Sequence, residues 1–125
     1  MKIDILRKIV KIVTSQKNYL DWLQEGSFKL TSVQYSIENE LYRIDFDKFN
    51  ETMYSILVFE KESKKSVSLY FDNNSLSASA ISYRKFIFFT KKSSYGYVIK
   101  EENYDNDSNI GFVRKVIPEY LINLR

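Results

Sequence analysis

Two aspartates are the first residues whose types and spacing suggest chemistry. Asp45 and Asp47 stand two positions apart in an alternating apolar and polar run, so a strand would place both carboxylates on its polar face. Paired carboxylates can act as general acid and general base. Arg43, Lys48 and Glu51 lie close by in the sequence, and such mixed charge is typical of a solvated face. We therefore interpret the pair as surface charge.

The sequence offers no other catalytic constellation. It contains no Cys and no His, which removes Ser-His-Asp and Cys-His mechanisms, the usual zinc sites and the ordinary proton shuttle. Ser82 and Lys85 fit the pattern S-x-x-K, but the companion motifs of that chemistry are missing. We expect a protein that is not an enzyme and that uses no cofactor.

An acidic stretch near the carboxyl end matches the start of a calcium loop. Asp105, Asp107 and Asn109 stand at the first three oxygen positions, but Gly111 comes one residue late and Val116 occupies the place of the closing Glu. The sequence instead predicts a solvated acidic loop, with its anions near the start of the last helix, where the helix dipole favours them.

Residues 84–92 read RKFIFFTKK, four apolar residues with two cations on each side. Nearby tyrosines make this a basic and aromatic segment, the combination that binds single-stranded nucleic acid, although no recognition motif is present. Four apolar residues are too few to span a bilayer, and the flanking sequence fits a sheet better than an interfacial helix, so we expect no membrane contact. Alternation in the flanking sequence favours a third interpretation, a core strand with exposed cationic ends.

Periodicity predicts the elements that hold these residues. A helical pattern covers residues 3–25 and stops at Gly26. Strand patterns follow at 33–38, 42–47, 52–60, 66–72, 76–90 and 95–100, with a turn around Ser93, Ser94 and Gly96. A polar loop leads to a closing helix from residue 110, which Pro118 restarts or kinks. We predict one α+β domain over residues 1–125: an N-terminal amphipathic helix, an antiparallel β-meander of about five to six strands, and a C-terminal helix.

Two of these strands are apolar on both faces, at 53–59 and 86–89. Such strands need cover on each side. The two helices on opposite faces would supply it, and so would a helix on one face and another protein on the other, which leaves a homodimer open.

Charge is distributed unevenly along the chain. Residues 27–60 carry 3 cations and 6 anions, whereas residues 61–100 carry 8 cations and 2 anions. Such a chain can present one acidic and one basic region, which would steer its association with a charged partner. Charged residues interrupt every apolar run at the amino end, so we expect a cytoplasmic protein without a signal peptide.

Residues 42–76 resemble the central sheet of small immunity proteins from bacterial polymorphic-toxin systems, of which the TriTu family is the most similar. The resemblance lies in a strand of the type MYSILVF (53–59), a turn, and a second strand, VSLYF (67–71), that ends at Asp72. It implies a cytoplasmic antidote that neutralises a cognate toxin domain by direct contact. No toxin-contact residue is implied.

The sequence therefore predicts a non-catalytic inhibitor that binds one protein partner. Ten tyrosines and nine phenylalanines exceed what one small core needs, and Tyr is favoured in contact surfaces. The predicted contact residues are Tyr83, Arg84, Lys85, Lys91, Lys92, Tyr95 and Tyr97. Two alternatives stay open: a nucleic-acid-binding protein that uses residues 83–97, and a phage or plasmid inhibitor of a defence system.

Overall fold

The computed structural model describes residues 2–15, 29–30, 36–49 and 52–117. Its helices are α1 (Lys2–Ser15), a short 3-10 helix (Glu101–Asn103) and α2 (Ser108–Val116). Its strands are β1 (Lys29–Leu30), β2 (Ser36–Glu38), β3 (Tyr42–Lys48), β4 (Tyr54–Glu60), β5 (Ser66–Phe71), β6 (Leu76–Lys85) and β7 (Thr90–Ile99). They form one antiparallel sheet in chain order from β1 to β7. The predicted α+β meander is confirmed, with the two-residue β1 bringing the sheet to seven strands.

One face of the sheet carries the core. The register places Ile44 of β3 opposite Val58 of β4, and Val58 opposite Val67 of β5, and all three are fully buried. Both helices contribute to the same cluster, through Leu6, Ile9 and Val10 of α1 and Ile110, Val113 and Val116 of α2. Because side chains alternate along a strand, this arrangement turns every second residue toward the helices.

The other face of β4 is apolar as well. Leu57 and Phe59 point away from the core cluster and are half-buried. The described parts of both helices pack on the opposite face, so they do not provide the two-sided cover that this strand was predicted to need. Cover by a second protein or a second copy stays a prediction.

Arg7 connects helix α1 to the turn that follows β5. Its Nη1 atom donates to the carbonyl oxygens of Asn73, at 3.0 Å, and Asp72, at 3.4 Å, in the turn between β5 and β6. The guanidinium also lies over the ring of Phe71, 5.9 Å from its centre.

The predicted helix end at Gly26 and the predicted kink at Pro118 lie outside the described residues. Among the described residues, none of the three helices has the length and apolar character needed to cross a bilayer.

The hairpin of β6 and β7 corrects two predictions. The block Phe86–Phe89 was predicted to be a core strand, but it forms the turn, and its side chains are 44%, 92%, 92% and 62% exposed. The turn predicted around Ser93, Ser94 and Gly96 lies inside β7, where Ser93 pairs with Ser82. The physical reason is the end of the core: β5 pairs with β6 only as far as Ile81, and no other element of the described chain covers the later residues.

Replacement of two phenylalanines by alanine distinguishes core from turn. Phe46 is completely buried, so Phe46→Ala should lower the free energy of unfolding by about 3–5 kcal/mol. Phe88 is 92% exposed, so Phe88→Ala should change it by less than about 0.5 kcal/mol. Urea titration of both variants provides the measurement. Comparable large losses would place Phe88 in the core after all.

Candidate functional site

Five of the seven predicted contact residues gather on one projecting hairpin. Beyond Ile81, β6 and β7 pair only with each other among the described strands, and we call residues 82–93 the arm. Tyr83 stands opposite Lys92, and Arg84 stands opposite Lys91. At about 3.3 Å per residue, the four paired residues on each strand project roughly 13 Å beyond the sheet.

The end of the arm is a compact apolar turn, which we call the tip, Phe86–Phe89. The N–H of Phe86 donates to the carbonyl oxygen of Phe89 at 2.7 Å. The two rings stack with their centres 4.7 Å apart and an angle of 21° between their planes. Ile87 and Phe88 stand beyond this pair and are each 92% exposed. Ile87 and Phe88 are thus the two large apolar side chains that the tip exposes most to the solvent.

A ring of positive charge lies directly behind the tip. We call Arg84, Lys85, Lys91 and Lys92 the collar, and all four are exposed. Strand alternation and the register place Lys85 and Lys92 on one face of the arm, and Arg84 and Lys91 on the other. Among the described residues, no acidic side chain forms an ion pair with a collar cation. The positive charge therefore surrounds the arm and is available to a partner.

The other two predicted contact residues lie at the base of the arm, on the core-facing side of β7. The rings of Tyr95 and Tyr97 stack at 5.8 Å. The Tyr97 hydroxyl donates to Asp107 Oδ2 at 2.6 Å and accepts from Asn109 Nδ2 at 2.9 Å. Asn109 Nδ2 also lies 3.3 Å from the Tyr95 hydroxyl. The Tyr97 hydroxyl is thus occupied by hydrogen bonds within the protein, whereas Tyr95 is 53% exposed.

The acidic loop caps α2. Asp107 Oδ1 accepts from the backbone N–H groups of Asn109 and Ile110, each at 2.9 Å. This confirms the predicted anion at the helix start, and a side-chain acceptor there satisfies N–H groups that have no partner within the helix. Within the described ranges, no group of three or more acidic residues is arranged to hold a metal ion.

Of the paired aspartates of β3, Asp45 has local partners. Asp45 accepts a hydrogen bond from Ser36 Oγ, and its Oδ2 lies 3.3 Å from Arg43 Nε. Burial raises the pKa of Asp47, and the charge of Asp45 raises it further. Asp45 is therefore engaged in binding neighbouring strand residues.

The tip was predicted to be a buried strand because all four of its residues are apolar. A usable signal was present in the symmetry of the segment: two cations precede the block and two follow it, with Ser and Tyr in the sequence on either side. That symmetry is typical of a hairpin whose turn lies at the centre.

Comparisons with known proteins do not indicate a family or a function for this chain. No protein-family model, curated protein or solved structure matches this chain. The resemblance to TriTu immunity proteins and the partner contacts at residues 83–97 both stay predictions.

Loss of the Tyr97 hydroxyl should destabilise the fold. Tyr97→Phe removes a donor to the Asp107 carboxylate and an acceptor for the buried Asn109 amide, so we expect a loss of about 1–2 kcal/mol in the free energy of unfolding. Tyr83→Phe is the matched control, since Tyr83 lies exposed on the arm. Equal stability of Tyr97→Phe and the unaltered protein in urea titrations would contradict this role.

The Tyr97 hydroxyl also makes the stability of the fold depend on pH in the alkaline range. Burial, followed by the hydrogen bond to Asp107, raises the pKa of Tyr97 from 10.0 to about 12. A group whose pKa is higher in the folded state stabilises the fold below the unfolded value and loses that contribution as pH rises through the folded value. The stability difference between the unaltered protein and Tyr97→Phe should therefore shrink between pH 10 and pH 12. A difference that stays constant over this range, in urea titrations at each pH, would rule out the linkage.

Proposed function

We propose that this protein is a non-catalytic inhibitor that neutralises one protein partner by direct contact. The observation that supports this proposal best is the arm, where exposed Tyr83 and the four collar cations lie together outside the core. A side-chain set of this kind binds rather than reacts, because it contains no nucleophile paired with a base.

The sides of the arm have the composition of a contact surface. Tyrosine contributes a large apolar area with a polar end, and arginine and tyrosine are enriched among the residues that dominate binding energy. Collar cations would accelerate the encounter with an acidic partner and favour one orientation. Tyr95, at the base of the arm, would extend the contact toward the body of the protein, whereas Tyr97 would act by supporting Tyr95.

The partner class follows from the resemblance. If residues 42–76 belong to an immunity protein of the TriTu type, then the partner is a cognate toxin domain and the two meet in the cytoplasm. An inhibitor of a defence system would use the same surface against another protein, and gene neighbourhood distinguishes the two. Neither role needs a cofactor.

Nucleic acid is the second candidate, because Tyr83 and Lys92 share one face of the arm. An aromatic ring beside a cation can stack on a base while the cation contacts a phosphate. Affinity would then fall steeply with salt, since phosphate contacts release counterions.

Capture from the native host tests the protein contact. The tagged protein should retain one protein at stoichiometric level after low-salt and high-salt washes. Reversal of the collar charges, in a variant with Arg84, Lys85, Lys91 and Lys92 all changed to Glu, should reduce this retention by about tenfold or more.

The matched control reverses four exposed lysines outside the arm, at Lys8, Lys64, Lys100 and Lys115. It should retain the partner as the unaltered protein does. Equal retention by the collar variant would place the contact elsewhere. Nucleic acid that washes away between the two salt concentrations, with no protein retained, would replace the inhibitor proposal by the second candidate.

A further inference from the structure

The contact residues assigned to a protein partner do not account for the tip. Ile87 and Phe88 are the most exposed large apolar side chains of the described chain, and they stand at the farthest point of the arm. We propose that the tip inserts into the interfacial layer of an anionic lipid membrane, with the collar at the level of the lipid headgroups. This inference goes beyond the proposed inhibition and does not rest on it.

The shape of the tip suits a soft surface. Phe86 and Phe89 stack on each other, and Ile87 and Phe88 project outward from them, so the apolar surface is convex. A convex apolar end can enter the boundary between headgroups and acyl chains without a preformed recess. Aromatic and branched aliphatic side chains favour that depth.

The collar has the position that lipid binding requires. Its cations are separated from the tip by at most two residues on each strand, so they would reach the headgroups when the tip lies among the upper acyl carbons. Long Lys and Arg side chains can lie along apolar surface while their charged ends stay at the polar interface. Cations near an anionic membrane surface each add to the attraction.

The collar surrounds the arm, so a membrane that the tip enters would meet positive charge on every side of it. Headgroups would contact both the Lys85 and Lys92 side and the Arg84 and Lys91 side. Arg84 stands directly opposite Lys91, and like charges in that position destabilise a strand pair. An anionic surface on both sides of the arm would offset this repulsion.

The wider charge pattern removes one obstacle to membrane approach. No Asp or Glu occurs between residues 73 and 100, which include the whole of β6, the tip and β7. The arm projects roughly 13 Å, which exceeds the Debye length of about 8 Å at physiological salt, so acidic residues of the sheet are largely screened from the membrane. The expectation of no membrane contact weighed a spanning segment and an interfacial helix, whereas the turn position of the tip offers a different geometry, the end of a hairpin that enters the interface.

Vesicle co-sedimentation tests the inference with the full chain. The protein should bind vesicles of phosphatidylcholine mixed with phosphatidylglycerol and should not bind vesicles of phosphatidylcholine alone. The double variant Ile87→Glu, Phe88→Glu should lose about tenfold or more of this binding, because it places charge in the apolar layer. Val98→Glu is the control, since Val98 is 70% exposed on β7 outside the arm; it should bind as the unaltered protein does.

Depth of insertion separates lipid burial from simple attraction of charges. In the variant Phe88→Trp, the fluorescence of the introduced tryptophan should shift to shorter wavelength on vesicles. Brominated acyl chains should quench this fluorescence. Val98→Trp, with the same native Trp22 in the background, should show neither change.

No binding to the mixed vesicles would overturn the inference, and so would equal binding by the double variant and the unaltered protein. Binding without the fluorescence changes at residue 88 would reduce the interaction to surface charge and would equally overturn insertion. Loss of the captured protein partner in the tip variant, without any vesicle binding, would place Ile87 and Phe88 in a recess of that protein. Vesicle binding that persists when no protein partner is captured would support the tip inference and reject the proposed inhibition.

Discussion

Strands of unequal length stand side by side at one edge of the sheet. β5 has six residues, whereas β6 and β7 have ten each. Among the described strands the extra residues pair only with each other, so the two strands continue as a hairpin after the sheet has ended. Since no helix and no neighbouring strand of the described chain reaches that far, the apolar turn at the end of the hairpin has no core to enter. Exposure of the tip follows from this mismatch.

The base of the arm is held more firmly than its end. Tyr97 connects β7 to the first turn of α2 through Asp107 and Asn109, and Asn109 is almost fully buried. On the same face of the sheet, Ile99 and Leu76 are paired and buried. A satisfied polar network that is partly buried favours one arrangement, because each member loses a partner when any other moves. The network therefore fixes α2 against the strand from which the arm projects.

The order of elements could be predicted from the sequence because periodicity reports it directly. Alternation in 42–47 and 66–72 matched β3 and β5 closely, and the polar residues before Asn109 matched the helix cap. The tip could not be located in this way, because Phe and Ile favour strands whether or not anything covers them. Ser93, Ser94 and Gly96 have turn-forming preferences, but pairing with Ser79–Ser82 keeps them in β7. The pairing of the strands, and not the local residue preference, determines both the position of the tip and the place of these residues in β7.

The contact residues show the same limit. Tyr83 and Tyr97 both lie near cations in the sequence, yet one is exposed on the arm and the other is bound to α2. Their difference depends on Asp107, ten residues beyond Tyr97, and on where β5 ends. No local pattern contains that information, so the sequence assigned one surface where the structure has an arm and a supporting network.

The exposed tip can be tested directly because the chain contains no cysteine. A single Phe88→Cys substitution would provide the only thiol, and its reaction with an aromatic disulfide reagent under native conditions measures its accessibility. The thiol at residue 88 should react at a rate close to that of the same variant in denaturant, whereas Val58→Cys, at a fully buried position, should react only as fast as the protein unfolds. Protection of the thiol at residue 88 to the same degree as at residue 58, in the monomeric protein, would show that the tip is buried.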